Sequence, residues 1–347
     1  METVWFVLVA VMVAMYVLLD GFDLGAGAIH FLVAKTKEER RQVIASIGPV
    51  WDGNEVWLLA AGGTLYFAFP ALYASSFSGF YLPLMMVLWL LILRGTAVEF
   101  RNHIDSPVWI PFWDFVFSGA SLLLAIFLGA ALGNVVRGVP LDASGYFFEP
   151  LWTNWQLGEQ TGILDWFTVL VGVQALLALI MHGGLWVQLK TEGDVSKRAA
   201  SVAGICWWGV LVLTGIVTAV TFSVQPQVMA NFKTWPLGYV LPLLAVAGLA
   251  GVQFELRRNK ELNAFLASCV YFLGMLTSAV FGVYPMVLPA RNPAYSLTVE
   301  NAKAGAYGLK IGLIWWAIGM ALATVYFVHV YRSFAGKVAL NAEGHGD

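Results

Sequence analysis

Charge is what this sequence has least of. Only 12% of its 347 residues are Asp, Glu, Lys or Arg, against roughly 25% in a soluble domain. Hydrophobic residues make up 59%, and the mean hydropathy is +0.75. That balance excludes an ordinary soluble globule and implies an integral membrane protein. A net charge of −2 gives no electrostatic reason to expect nucleic acid. Cysteine is scarce too. Cys206 and Cys269 each fall inside an apolar run, which suits core packing better than a disulfide or a metal site. There is no Walker loop, CxxC, CxxCH or dinucleotide fingerprint, so nothing in the chain by itself names a redox cofactor. The first apolar stretch lacks a basic n-region and is long enough to span, so it reads as a membrane helix rather than a cleaved signal.

What is abundant is apolar sequence in runs of about 20 residues, the length that crosses a bilayer as a helix. Nine such runs are expected as spans, near 4–33, 47–68, 79–98, 112–135, 166–188, 201–223, 237–254, 263–285 and 309–331. The fold class is therefore an all-α membrane protein. Loop charge predicts its orientation. The first connection carries Lys35, Lys37, Arg40 and Arg41; the third has Arg101 and His103; the fifth has Lys190, Lys197 and Arg198; the seventh reads ELRRNKE. Even connections are poor in cations, and the fourth sets one Arg against Asp142, Glu149, Glu159 and Asp165. Odd loops then face the cytoplasm, with the N-terminus outside and the C-terminus inside. A faint echo links GAGAIHFLVAKT at the end of the first span to IMHGGLWVQLKT at the end of the fifth. It fits two four-helix bundles, 1–135 and 166–285, plus an extra helix at 309–331.

Charged residues inside such runs are costly, so each one raises a functional question. Asp20, Asp23, Gly27 and His30 follow at steps of three, four and three, which is one face of a helix. Titratable groups spaced along a buried face suit a proton path, though a packing motif whose acids pair with buried cations or amides uses the same residues. Gly21 and Gly25 permit close helix approach. Asp52 and Glu55, in GPVWDGNEVWLLAAGG, also share a face. Acids in a first helical turn favour the helix dipole, and Pro49 suits that turn; this accounts well for Glu55 and less well for Asp52, beside Gly53 and Asn54. Arg94 is expected to snorkel or to neutralise a carboxylate such as Glu99. His182 is a weak candidate for a heme ligand, since a lone buried histidine is more often a satisfied core residue. His103, His329 and His345 lie at or beyond membrane edges. Two classes fit these features: a proton-coupled transporter, or a subunit of a respiratory or other energy-coupling complex. A transporter would usually show broken helices or a strong inverted repeat, and neither is clear.

Several segments together carry a resemblance. LDGFDLGAG, then IGPVWDGNEVWLLAAGG and FPALYASSFSGFYLPL, then LRGTAVEFR, FWDFVFSGAS, GNVVRGVPLD and YPMVLPARNPAYSLTVENA closely resemble subunit II of cytochrome bd-type quinol oxidases, including the cyanide-insensitive branch. The resemblance covers most of the chain, although 190–260 matches by hydropathy alone. It implies a subunit of a complex that reduces O2 to water with electrons from quinol. It implies a partner subunit I that carries hemes b and d and the quinol site, and no cofactor or metal on this chain. Small single-span subunits, a lipid or a structural quinone become plausible companions. The location implied is the prokaryotic cytoplasmic membrane, with a contribution to proton motive force. By the same resemblance Asp52, Asp20 and Asp23 fall on a proton path from the cytoplasm, and Trp57 falls near the mouth of an apolar O2 route that Ala61 and Gly62 would line. Many members have Gln at Glu55, and His30 comes from the helix face alone.

Overall fold

In lipid, a backbone N–H or C=O finds no water, so an apolar run satisfies its own hydrogen bonds by coiling into a helix. The computed structural model of the chain, which describes residues 1–158 and 161–338, is built almost wholly this way. His345 and Glu159 lie outside the described residues. The helices are α1 (Glu2–Ala28), α2 (His30–Val33), α3 (Lys37–Ile47), α4 (Trp51–Ala68), α5 (Pro70–Gly79), α6 (Tyr81–Phe100) and α7 (Trp109–Arg137). They continue as α8 (Trp166–Lys190), α9 (Gly193–Val224), α10 (Pro226–Thr234), α11 (Val240–Arg257), α12 (Glu261–Val283) and α13 (Ala306–Ser333). A two-stranded antiparallel hairpin, β1 (Met286–Leu288) and β2 (Leu297–Thr298), fills the connection before α13.

Among the described residues, eight helices are long and apolar enough to cross a membrane: α1, α6, α7, α8, α9, Pro236–Arg257, α12 and α13. The expected second span is not among them. The stretch from residue 47 divides: α3 stops at Ile47, and α4 begins only at Trp51, after Pro49 rather than around it. With 18 residues and a rise of about 1.5 Å each, α4 is about 27 Å long, and Asp52, Asn54 and Glu55 lower its hydropathy. The basic first connection is itself helical. Thr36 and Glu39 form a reciprocal capping box at the start of α3, which satisfies two orphan amide donors. Pro70 opens α5, where its missing N–H costs nothing.

α1 is central and packs on α4, α7, α8 and α12. Its tightest neighbour is α8. A Cβ built on Gly25 would lie 2.0 Å from the Leu179 carbonyl oxygen, and one on Gly183 would lie 2.3 Å from the Gly25 carbonyl carbon. Only glycine at both positions allows that backbone-to-backbone approach. The two echoing segments thus face each other across this seam. The segment after α13 folds back over α8 and α12. Lys337 reaches the Thr191 carbonyl oxygen at 3.0 Å and Glu261 at 2.8 Å, and the Val338 amide donates to the Lys190 carbonyl at 2.7 Å.

Candidate functional site

The acids of α1 point inward, as their spacing predicts. Asp20 and Asp23 are fully buried. Asp20 Oδ1 lies 2.6 Å from Arg94 Nη1 on α6, and Arg94 Nη2 donates to Glu55 Oε2 on α4 at 3.1 Å. Arg94 therefore does not run to Glu99. It is only 1% exposed and too deep to snorkel, so it takes the two carboxylates facing it across the helix contacts. Asp23 Oδ2 accepts from Asn54 Nδ2 at 2.8 Å, and Asn54 Oδ1 accepts from the Tyr331 hydroxyl on α13 at 2.8 Å. Three carboxyl groups, one guanidinium, one amide and one phenol thus meet where α1, α4, α6 and α13 converge. Asp23 Oδ1 and Arg94 Nε have no hydrogen-bond partner among the described residues.

His30 sits one step away. The helix does not run through to it: α1 ends at Ala28, Ile29 takes φ −92° and ψ 0°, and His30 opens α2. Its Nε2 lies 3.0 Å from Asp114 Oδ1 on α7. Asp114 in turn accepts from Arg101 Nε at 2.5 Å and from Arg40 Nη1 at 3.5 Å. His30 and Asp114 are fully buried, and Arg101 is nearly so. Sequence reasoning missed Asp114, Asn54 and Tyr331. Asp114 could have been found, because an acid in an apolar run is a signal in itself; the other two are ordinary polar residues until their neighbours are known.

Asp52 departs from expectation. It is exposed on α4, and the inward position belongs to Asn54 two residues on. Trp57 and Ala61, one turn apart, are buried in an apolar cluster with Met12 and Tyr16. Gly62 has no atom within 4 Å of where a Cβ would stand. His182 is buried with both ring nitrogens engaged, Nδ1 with Ser268 Oγ at 2.7 Å and Nε2 with the Leu18 carbonyl at 2.9 Å. It lies nearly parallel to Phe265 at 4.8 Å. It is therefore a satisfied core histidine, and neither nitrogen is free to ligate iron.

A further polar site lies where α7 ends and α8 begins, beneath the connection between them. Arg137 at the end of α7 donates to Glu149 Oε1 at 2.5 Å, to Asn134 Oδ1 at 2.6 Å, and to Asp165, the cap of α8. The Thr161 hydroxyl also donates to Glu149, at 3.0 Å. Burial, reinforced by the Asp165 charge, outweighs Arg137 and Thr161 and pushes the Glu149 carboxyl up to about 7.

Comparison with known proteins shows what frame these residues belong to. The family model described as cytochrome bd terminal oxidase subunit II matches residues 1–334. The chain belongs to the cytochrome bd terminal oxidase subunit II family. It is 32% identical to the probable cytochrome oxidase subunit 2 of Haemophilus influenzae, over 97% of this chain and 95% of that one. It is also 32% identical to the cytochrome bd ubiquinol oxidase subunit 2 of Bacillus subtilis, over 90% and 89%. The bd oxidase of Geobacillus thermodenitrificans shares the fold, with a TM-score of 0.76, 14% identity, and coverage of 96% of this chain and 98% of that chain. As a family member the chain is subunit II of a cytochrome bd-type oxidase, part of a quinol:oxygen oxidoreductase complex. That complex contains hemes and a subunit I beside this one, and this subunit is a multi-pass membrane protein.

Proposed function

We propose that this chain carries protons from the cytoplasm to the O2-reducing centre of its partner. The observation that carries the reading is the acid cluster in which buried Asp20 and part-buried Glu55 pair with Arg94 while buried Asp23 bonds to Asn54 beside them. Charged groups at such depth are expensive, and three carboxyl groups gathered near one guanidinium form a site suited to taking up and releasing protons. The His30–Asp114 pair stands at the basic-loop end of the same bundle and serves as the cytoplasmic approach. Asp52, exposed on this chain, is a carboxylate for the partner to cover. In this reading hemes b and d and the quinol site belong to subunit I, and the hemes supply the electron transfer and O2 chemistry. His182 does not fit an axial heme ligand, because it is already bonded at both nitrogens. α4 counts as the ninth span. The chain then forms two four-helix bundles, 1–135 and 166–285, with α13 as the extra helix. The N-terminus is outside, as the basic odd loops support. Trp57, Ala61 and Gly62 flank an apolar O2 route. Small single-span subunits, a lipid or a structural quinone complete the assembly.

The test uses the assembled oxidase. Asp52→Asn and Asp23→Asn keep shape and remove titration. Both are expected to slow turnover at unchanged heme content, with proton uptake lagging electron transfer. Wild-type turnover and full heme in both variants would place the proton route elsewhere.

A further inference from the structure

Two polar groups of sites lie on α1 and α2, and they are not in direct contact. Among the described residues, the inner group ends at Asp23, whose Oδ1 lacks a partner, and the rim group ends at His30, whose Nδ1 lacks one. Between them the helix face carries only Gly27. A Cβ built there would stand 2.1 Å from Ser121 Oγ and 2.5 Å from Ser121 Cβ. Glycine is therefore what lets the α7 side chain press against the α1 backbone. Ser121 is fully buried, and its hydroxyl oxygen is a third polar atom without a partner among the described residues. Buried polar side chains are nearly always paired, so these three atoms, on helices that pack together, call for a bridging group.

The spacing completes the pattern. Gly27 is four residues from Asp23, about 6 Å of helix rise, and three from His30, which opens α2 beyond the break at Ile29. Water can bridge polar groups that stand too far apart for a direct hydrogen bond. Ser121 is also seven residues from Asp114 on α7, two turns along the same face. Its hydroxyl lies against Gly27, which stands between Asp23 and His30 in the sequence.

We propose that Ser121 is the hydroxyl relay that joins the His30–Asp114 pair to Asp23, through the notch left by Gly27. This rests on the proton-delivery reading and makes its two halves one track. The step balances at the oxygen: Oγ accepts a proton from the rim side and releases its own towards Asp23, and rotation of the hydroxyl then restores the starting state. Nothing is oxidised or consumed.

The assembled oxidase tests it, with all rates read per heme. Ser121→Ala should lower turnover and proton uptake about tenfold, less than the ~10²–10⁴ of a group that is itself the acid or base, because water can occupy part of the gap. The solvent isotope effect should rise. The swap Gly27→Ser with Ser121→Gly returns a hydroxyl to the same notch from the opposite helix, with Phe117 Cζ, 3.1 Å away, giving slightly. It should recover part of the rate and lower the isotope effect. Packing alone would change heme content without this pattern in rate per heme. A wild-type rate in Ser121→Ala, or a swap no faster than Ser121→Ala, overturns the relay. If Asp23→Asn still slows turnover, only the relay falls. If Asp23→Asn is silent too, the proton-delivery reading falls with it.

Discussion

Raising the pH should loosen the connection between α7 and α8 through Glu149. That carboxyl is buried beside Arg137, Asp165 and Thr161, with Arg291 near enough to feel the same charges, and it is pushed up to about 7. A carboxyl held above its ordinary value of 4.5 contributes stability while protonated. The contribution is full below the unfolded value and is lost as the pH climbs through the folded one. Each tenfold in proton affinity is worth about 1.4 kcal/mol, so going from pH 5 to pH 8 should remove roughly 2–3 kcal/mol from closure of the loop. The opening equilibrium then rises by between one and two orders of magnitude. Hydrogen exchange reads this directly at amides that open with the loop, such as Ile163, which donates to the Pro150 carbonyl at 2.9 Å, and Leu164, which donates to Leu151 at 3.0 Å. Glu149→Gln keeps an acceptor for Arg137 and Thr161 and cannot ionise, so its intrinsic-rate-corrected exchange should be nearly flat across the range. Matching pH profiles in the wild type and Glu149→Gln would refute the reasoning.

Three further outcomes are expected. Expressed and purified without subunit I, the chain should show no heme absorbance; a stoichiometric heme band would mean that His182 or another group rearranges to ligate iron. Arg94→Leu should leave Asp20 buried without its cation, a loss of about 3–5 kcal/mol, seen as a sharp fall in assembled complex, and normal yield would show the pair to be dispensable. Gly62→Leu has room on this subunit, so assembly should hold while the apparent KM for O2 rises; unchanged O2 kinetics would move the gas route away from α4.

Much of the fold was legible because lipid forces a one-to-one relation between a long apolar run and a helix. The buried face of α1 was legible for a similar reason: steps of three and four leave Asp20 and Asp23 on one side, and both are fully buried. What could not be read was pairing across the sequence. Arg94 looked nearest to Glu99 along its own helix, yet its partners lie 74 and 39 residues away, and only the convergence of α1, α4 and α6 selects them. Asn54 and Tyr331 belong to the site through one hydrogen bond each. The polar connections deceived for another reason. α3 and α5 are helical without being apolar enough to span, because capping at Thr36 and a proline start at Pro70 substitute for hydropathy. Asp52 and Glu55 share a helix face in sequence, yet Asp52 is exposed and the inward position is taken by Asn54.

The seam between α1 and α8 has a mechanical consequence. Alternating-access transporters rock one repeat against another, which needs a layer of side chains that can re-mesh. Here Gly25 and Gly183 bring backbone against backbone, with less than a side chain's width between them, and sliding by even part of a turn would drive the flanking Leu179 and Ala26 into the opposing main chain. The joint behaves as a weld rather than a bearing. A frame welded there leaves side-chain rotation, rather than motion of one half against the other, as the freedom inside this subunit.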